Sequence, residues 1–271
     1  MSIHVKVNDR KTHMMEQTEG RSDVTYNFTG RRVLVTGASR GIGRALAMAF
    51  GRSGADLVLT ARNAESLDDT ATQLAKLGCD VDCLSVDQRD VGQIQERLAG
   101  LPRVDVLINN AGVEEVRASL DVDEPLWDKI VGTNLKGAFF VAQAVAAKMV
   151  ENGGGAIVNL ASLTSYVGVP TAVPYGASKT GILGITRALA AEWAPKGIRV
   201  NAIAPGYFKT DLTGVFYEDP AWVEAMTAKV PLGRLGRLDD LEGAAMFLAS
   251  SAADYVTGQC IVIDGGFLAQ I

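Results

Sequence analysis

The sequence predicts a doubly wound α/β fold, in which helices cover both faces of a parallel β-sheet. Short runs rich in Val, Ile and Leu alternate with longer segments whose apolar residues recur at helical spacing. The short runs are almost continuously apolar, which is typical of parallel strands that are buried on both faces. No linker rich in Pro, Ser or Gly divides the chain, so we expect a single domain.

The predicted elements follow one another as strand and helix along the chain. Residues 32–36 form the first strand, and residues 42–53 form a helix in which Leu46, Ala49 and Phe50 recur on one face. Each later strand is a short β-branched or apolar run, and each later helix fills the gap between two such runs. The later strands are predicted over residues 56–60, 81–86, 104–109, 156–160, 198–203 and 260–263. The later helices are predicted over residues 64–77, 91–98, 125–150, 175–193, 221–229 and 239–250.

Composition narrows the class of protein. The chain has 271 residues, of which 48% are hydrophobic and 21% are charged, and this suits one large domain with a buried core. The net charge is −5 and no basic block offsets it, which argues against a nucleic-acid partner. The two histidines, His4 and His13, lie near the amino terminus. We therefore expect neither a histidine-built metal site nor a Ser-His-Asp triad in the core, and no metal cofactor.

The cysteines and the amino-terminal segment bear on location. Cys79, Cys83 and Cys260 form no CxxC pair, and so sparse a set fits a reducing compartment. Residues 1–25 are mostly polar and lack the apolar run of about 7–15 residues that marks a secretory signal. No stretch of about 18 apolar residues occurs, so we expect no membrane span and a cytoplasmic protein. We assign residues 1–25 to a polar extension, with a role in oligomer contacts left open, and residues 26–271 to the domain.

A glycine-rich turn joins the first strand to the first helix. Its sequence is Thr36-Gly37-Ala38-Ser39-Arg40-Gly41-Ile42-Gly43. Glycine allows positive φ and close backbone approach, and the helix amino terminus offers free N–H groups to a pyrophosphate. The spacing is GxxxGxG rather than the usual GxGxxG, but the strand before it and the helix after it favour a dinucleotide site over a plain tight turn. The candidate binding residues of the turn are Gly37, Ser39, Arg40, Gly41, Ile42 and Gly43.

The end of the second strand indicates which dinucleotide binds. An NAD site usually carries an Asp or Glu there, which binds the ribose 2′-hydroxyl. Residues 59–63 contain no carboxylate, whereas Arg62 lies at the strand end and Arg40 lies within the glycine turn. Two guanidinium groups can hold a 2′-phosphate by charge-assisted hydrogen bonds. We therefore predict NADP(H) over NAD(H); the alternative is two solvated loop arginines.

Four polar residues suggest a proton-transfer group. Tyr175 and Lys179 lie four residues apart at the start of a predicted helix, so they share a face. Ser162 follows the fifth strand at the carboxyl edge of the sheet, and Asn134 lies inside a long predicted helix. A nearby ammonium is expected to lower the pKa of the Tyr175 phenol from about 10 toward the working pH of a general acid or base. Each residue alone has an ordinary structural explanation, but their joint occurrence with the glycine turn favours catalysis.

These segments together resemble the short-chain dehydrogenase/reductase family over roughly residues 26–268. The matching segments are residues 36–43, Asp87, residues 109–112, Asn134, Ser162, residues 175–179, Pro205-Gly206 with Thr210, and residues 264–266. The resemblance implies an oxidoreductase with a seven-stranded sheet, assembled as a homotetramer. It implies that Tyr175 is the acid or base and that Ser162 orients the carbonyl. Lys179 would bind the nicotinamide ribose while lowering the Tyr175 pKa, and Asn134 would hold a water in a proton relay.

The same resemblance extends the cofactor site beyond the glycine turn. Asp87 would lie by the adenine, residues 109–112 would support the ribose region, and Phe208 with Thr210 would meet the nicotinamide carboxamide. The cofactor-binding residues assigned beside the turn and Arg62 are Asp87, Gln88, Asn109, Ala111, Gly112, Tyr175, Lys179, Pro205, Gly206, Phe208 and Thr210.

The substrate is expected to be a small ketone or secondary alcohol. Residues 62–66 and 204–208 are similar to segments of gluconate 5-dehydrogenase-like members of the family, which favours a polyol or sugar acid. The alternative is a 3-oxoacyl-carrier-protein reductase, for which Arg234 and Arg237 could supply a basic patch. A non-catalytic, nucleotide-sensing member is a third hypothesis, although such proteins often lose the Tyr or the Lys that this chain keeps.

The substrate pocket is expected beyond the catalytic group. Tyr166 is a rival for Tyr175, but Pro170 stands where the lysine would be needed, so Tyr166 is assigned to the pocket lining. Residues 212–222 mix aromatic and acidic side chains and are interpreted as a mobile lid.

Overall fold

Seven parallel strands pair into one sheet within the residues that the structure describes. The structure is a computed structural model, and it describes residues 24–210 and 214–270. The strands are β1 (Arg32–Thr36), β2 (Asp56–Ala61), β3 (Val81–Ser85), β4 (Val106–Asn109), β5 (Gly155–Leu160), β6 (Ile198–Pro205) and β7 (Cys260–Ile263). Their order is β3-β2-β1-β4-β5-β6-β7. The predicted doubly wound, seven-stranded parallel sheet is confirmed.

Helices fill the crossovers between successive strands. They are α1 (Gly41–Arg52), α2 (Asp68–Lys76), α3 (Val91–Ala99), α4 (Glu124–Val131), α5 (Ala138–Glu151), α6 (Val173–Trp193), α7 (Pro220–Ala228) and α8 (Glu242–Ala249). The side chains of Asp90, Asp123 and Asp219 accept backbone N–H groups at the starts of α3, α4 and α7. Helix α1 differs, because it has no side-chain cap and no acidic residue in its first turn. Its first N–H groups therefore remain available to another acceptor.

The two faces of the sheet carry two separate hydrophobic cores. Alternation along β1 places Val33 and Val35 in one core, with Leu46 and Phe50 of α1, and places Leu34 in the other. The strand order turns back between β1 and β4. Ligands in such sheets bind beyond the carboxyl ends of the strands at this reversal, which is where the glycine turn lies.

The predicted helix over residues 125–150 is interrupted in the structure. A π-helical turn, Gly132–Gly137, separates α4 from α5. The backbone of Gly137 packs against Gln88, and a Cβ at position 137 would collide with the Gln88 carbonyl oxygen. The irregular turn brings the buried side chain of Asn134 inward. The predicted helix over residues 64–77 is also divided, into a 3₁₀ turn (Ala64–Leu67) and α2.

The continuous helical stretch Glu124–Glu151 is long and apolar enough, by composition, to cross a membrane. Within the described residues it instead packs in the fold: Val141, Val145 and Met149 lie in the same core as Ile94 of α3 and Trp193 of α6. This burial is that of a core helix.

Two predictions lie partly outside the described residues. The polar extension assigned to residues 1–25 falls almost wholly on residues 1–23, and the proposed lid begins at residues 212–213. The rest of the lid segment comprises a 3₁₀ turn (Gly214–Glu218) and the start of α7.

Candidate active site

The glycine turn lies over the carboxyl end of β1 with its backbone in close contact with the segment that follows β4. Gly37 and Gly41 have positive φ angles of 65° and 55°. A Cβ at Gly37 would lie 2.9 Å from the Ala111 Cα, and a Cβ at Gly43 would collide with the Gly37 carbonyl. Both contacts require glycine, because any side chain would push the turn away from the sheet. The turn therefore presents backbone, rather than side chains, to the cleft at the α1 amino terminus.

Asn110 fixes the turn from below. Its Nδ2 donates to the carbonyls of Thr36 and Gly37, at 2.8 and 3.2 Å. The Thr36 hydroxyl in return accepts the backbone N–H groups of Asn110 and Ala111, each at 2.9 Å. No role was predicted for Asn110 itself, although it lies within the matching segment 109–112. It acts directly on the glycine turn, and its signal was its place between two assigned residues.

A cleft of about 280 Å³ runs from the glycine turn to the end of β5. The assigned residues that line it are Gly37, Ser39, Arg40, Gly41, Ile42, Arg62, Asp87, Gln88, Ala111, Gly112, Ser162, Tyr175, Lys179, Pro205, Gly206, Phe208 and Thr210. Three assigned residues lie behind its wall: Gly43 packs under the turn, and Asn109 and Asn134 are buried. The structure thus brings residues from several separate segments of the chain to one cavity.

The end of the cleft near β2 and β3 carries several cationic side chains. Arg40, Arg62 and Arg89 line it together with Asp87. Arg89 donates two side-chain hydrogen bonds to the Asp87 carboxylate, at 3.3 and 2.9 Å. These bonds hold the pKa of Asp87 below its ordinary value, and the charge of Arg62 adds to the effect. Arg89 was not among the predicted site residues.

Ser162 is buried at the carboxyl end of β5, where it caps a short 3₁₀ turn (Leu163–Ser165). Its Oγ accepts the N–H of Thr164 at 3.2 Å. Ser165 ties this turn to α6, because its hydroxyl donates to the Lys179 carbonyl at 2.8 Å. The position of Ser162 relative to α6 is therefore fixed by hydrogen bonds at both sides of the turn.

Tyr175 and Lys179 lie on the face of α6 that closes the cleft. Helix α6 begins at Val173, two residues before Tyr175, so both side chains are within its first two turns. The Lys179 Nζ lies 5.6 Å from the centroid of the Tyr175 ring and donates to the Leu160 carbonyl at 2.7 Å. Burial lowers the pKa of Lys179 to about 8, while the charge of Glu114 opposes this change.

The expected direction of the Tyr175 pKa is wrong for this structure. Burial raises the Tyr175 pKa above its ordinary value of 10, and the negative charge of Glu114 raises it further. The Ser162 hydroxyl opposes this rise through a hydrogen bond to the phenol oxygen. Tyr175 is therefore a protonated phenol at neutral pH, which can donate a proton to an oxygen that Ser162 also binds.

Asn134 connects the catalytic face of α6 to the segment after β4. Its Oδ1 accepts the Val113 N–H at 2.8 Å, and its Nδ2 donates to the Val113 carbonyl at 2.9 Å and to the Ser178 hydroxyl at 3.3 Å. The Ser178 hydroxyl in turn donates to the Tyr175 carbonyl at 2.7 Å. Asn109 lies deeper, where its Nδ2 donates to the Ala138 carbonyl and to Asn159 Oδ1.

Tyr166 lies away from the cleft lining. Its ring is about half exposed and its hydroxyl is hydrogen-bonded to Cys260 of β7; burial is the first cause that raises its pKa to about 12. The lid segment contributes an aromatic cluster instead. The ring centroids of Tyr207 and Trp222 are 5.6 Å apart, those of Tyr207 and Phe267 are 5.3 Å apart, and those of Tyr217 and Trp222 are 5.3 Å apart. The cluster packs the lid against the residue that follows Gly206 of the cleft.

Comparison with known proteins places this arrangement among nicotinamide-type enzymes. Residues 37–268 match a family model described as enoyl-(acyl carrier protein) reductase. The galactitol 2-dehydrogenase (L-tagatose-forming) of Cereibacter sphaeroides is 39% identical over 249 residues, which are 89% of this chain and 96% of that protein.

Two solved structures share the fold over almost their whole length. A gluconate 5-dehydrogenase from Burkholderia cenocepacia J2315, in complex with NADP and tartrate, is 36% identical with a TM-score of 0.88, over 91% of this chain and 98% of that one. A short-chain type dehydrogenase/reductase from Mycobacterium marinum is 35% identical with a TM-score of 0.86, over 91% of this chain and 98% of that one.

Proposed function

The chain belongs to the short-chain dehydrogenase/reductase family, and from that premise we propose that it transfers a hydride between NADP(H) and a small ketone or secondary alcohol, a polyol or a sugar acid. The observation that carries this proposal is the meeting of Ser162, Tyr175 and Lys179 in the cleft that begins at the glycine turn. A proton donor beside a dinucleotide site is the arrangement that carbonyl reduction requires.

The residues of the turn fit a dinucleotide. Helix α1 has no side-chain cap, and the close approach at Gly37 leaves room for a pyrophosphate where a side chain would stand. Arg40 and Arg62 would hold the 2′-phosphate, and Lys179 the nicotinamide ribose. When bound, NADP(H) supplies or accepts the hydride. The NADP in the Burkholderia relative supports this choice of cofactor.

The remaining chemistry is proton transfer at one oxygen. Tyr175 donates its phenolic proton to the carbonyl oxygen during reduction, and takes a proton from the alcohol during oxidation. Ser162 binds the same oxygen and orients it. Lys179, held by the Leu160 carbonyl, places a positive charge beside the Tyr175 ring and favours the phenolate that forms during reduction. Asn134 fixes the backbone beside Tyr175 and would hold a water for the returning proton.

Two observations favour polyol or sugar-acid substrates over a carrier-protein thioester. The galactitol and gluconate enzymes are similar along nearly the whole chain. The basic patch that the carrier-protein alternative needs is neutralised, because Arg234 forms a salt bridge with Asp240 at 2.6 Å and Arg237 forms one with Asp239 at 3.2 Å. The same neutralisation weighs against enoyl reduction on a carrier protein.

A substrate panel tests the proposal. Galactitol, threitol, gluconate and galactonate should each be assayed for NADP⁺ and NAD⁺ reduction, and 5-ketogluconate and an acetoacetyl thioester for NADPH oxidation. We expect turnover of at least one polyol or sugar acid, with kcat/KM higher for NADP⁺ than for NAD⁺. Turnover of the thioester alone would contradict the proposal, and so would a preference for NAD⁺.

We also propose that residues 26–271 form one domain that assembles as a cytoplasmic homotetramer. Edge strand β7 supports the assembly, because it pairs only with β6 among the described residues and is half-exposed along its length. The separate, unpaired cysteines support the location. Light scattering of the purified protein tests the first proposal, since a mass near that of one chain would contradict it.

A further inference from the structure

Two adjacent glutamates after β4 have different surroundings. The carboxylate of Glu115 binds Arg117 at 2.6 Å and Lys129 at 2.9 Å, so its charge is compensated. Glu114 is half-buried, and Lys179 is the one charged side chain of the described residues that acts on its carboxylate. No hydrogen bond or ion pair to Glu114 is found in the part of the chain that the structure describes. An uncompensated carboxylate therefore remains at the catalytic end of the cleft.

The position of Glu114 is fixed by the residue before it. Asn134 binds both the N–H and the carbonyl of Val113, which itself lines the cleft. Asn134 also binds Ser178, which lies between Tyr175 and Lys179 on α6. This clamp carries Glu114 to the side of the catalytic pair. Its proximity is seen in its charge, which acts on both groups: it raises the Tyr175 pKa and opposes the lowering of the Lys179 pKa.

The cleft is therefore electrically asymmetric. Arg40, Arg62 and Arg89 line the end that would take the phosphates, whereas Glu114 stands by the reacting end. A carboxylate in a partly dehydrated site accepts hydrogen bonds from hydroxyl groups and repels a second carboxylate. Like charges brought together in this way are a common basis of discrimination between ligands.

We propose that Glu114 is a specificity-determining residue, which selects uncharged polyols and their ketoses over sugar acids. This inference rests on the proposed function and narrows its substrate class. The Glu114 carboxylate accepts a hydroxyl next to the reacting carbon, and it disfavours a substrate carboxylate in proportion to its nearness. Discrimination is consequently strongest for short sugar acids, in which the carboxylate lies close to the oxidised carbon.

The test compares matched pairs of an alditol and its aldonate with the whole enzyme and NADP⁺. The pairs are threitol with threonate and galactitol with galactonate, and the variants are Glu114→Gln and, as the matched control, Glu115→Gln. For wild type we expect kcat/KM to favour threitol over threonate by about 30-fold, and galactitol over galactonate by less. Glu114→Gln should reduce the threitol preference to within about threefold, whereas Glu115→Gln should change it by less than about twofold.

The ratio isolates selectivity from catalysis. Removal of the Glu114 charge also acts on the Tyr175 pKa, but that effect is common to both members of a pair and cancels. NADPH affinity, measured by fluorescence, should be unchanged in Glu114→Gln and shows that the variant is folded.

The outcomes separate this inference from the proposed function. An active enzyme that favours the aldonates, or whose preference survives in Glu114→Gln, overturns the role of Glu114 and leaves the proposed function standing. An enzyme that turns over neither member of either pair, and no other compound of the substrate panel, overturns both.

Discussion

Asn134 binds both backbone polar groups of Val113, as acceptor of its N–H at 2.8 Å and as donor to its carbonyl at 2.9 Å. The side chain thus replaces a neighbouring strand for one residue of the segment that follows β4. Because the same amide also reaches Ser178, the wall of the cleft and the catalytic face of α6 are held together by one side chain.

Asn134→Ala should therefore weaken both the fold and the catalysis. It leaves two backbone groups of Val113 without their partner, which predicts a loss of about 2–4 kcal/mol in the free energy of unfolding. We expect kcat/KM to fall at least about tenfold because Tyr175 and the Val113 segment are no longer aligned. Urea unfolding and steady-state kinetics measure the two effects. Asn152→Ala, which removes one exposed hydrogen bond to the Lys148 carbonyl, should cost less than about 1 kcal/mol.

Cofactor selectivity should depend on the two arginines of the cleft. Arg40→Ala and Arg62→Ala each remove a donor for the 2′-phosphate, so kcat/KM for NADPH should fall about 10- to 100-fold while that for NADH stays within about threefold. The control is Arg44→Ala, because Arg44 pairs with Asp69 at 2.5 Å. An equal loss with both cofactors would show that these arginines do not recognise the phosphate.

The glycine at position 43 should be irreplaceable for packing reasons. Gly43→Ala places a Cβ against the Gly37 carbonyl and the Asn110 amide, which predicts destabilisation of about 1–3 kcal/mol. Gly243 also lies within a helix, but a Cβ there would have no neighbouring atom within 4 Å, so Gly243→Ala should be neutral or stabilising by up to about 1 kcal/mol. Thermal unfolding of the two variants decides the point; equal melting temperatures would refute the close contact.

Lys179 should make the stability of the wild type increase with pH. Burial lowers the Lys179 pKa from 10.5 to about 8, so the unfolded chain binds more protons than the native one between these values. Relative to Lys179→Met, the free energy of unfolding should therefore rise by about 2 kcal/mol between pH 7 and pH 10. Urea titrations at both pH values measure this difference, with the exposed Lys76→Met as control. Parallel stability curves for wild type and Lys179→Met would contradict the buried ammonium.

The fold and most of the cleft could be predicted because they depend on local pattern. The strand before Gly37 and the helix after Gly43 are visible in the order of apolar residues, and their topology fixes where the carboxyl ends of the strands meet. The family assignment made from the sequence is confirmed. The interruption of the helix at Gly132–Gly137 could not be predicted, because it follows from packing against the Gln88 carbonyl, far away in the sequence.

The electrostatics of the catalytic group were not predictable either. The spacing of Tyr175 and Lys179 indicates a shared helix face, and from this the Tyr175 pKa was expected to fall. Its actual rise depends on burial and on Glu114, which precedes Tyr175 by a whole strand and two helices. Sequence spacing contains neither quantity.

The most direct test of the account is the replacement of Tyr175 by Phe, since the central claim is that this phenol moves the proton. With NADP⁺ and the best alcohol substrate, we predict that kcat falls at least about 10³-fold while the Kd of NADPH stays within about threefold. Tyr166→Phe, which removes a hydroxyl outside the cleft lining, should retain most of its activity. A Tyr175→Phe enzyme that keeps more than about a tenth of the wild-type kcat would contradict the claim.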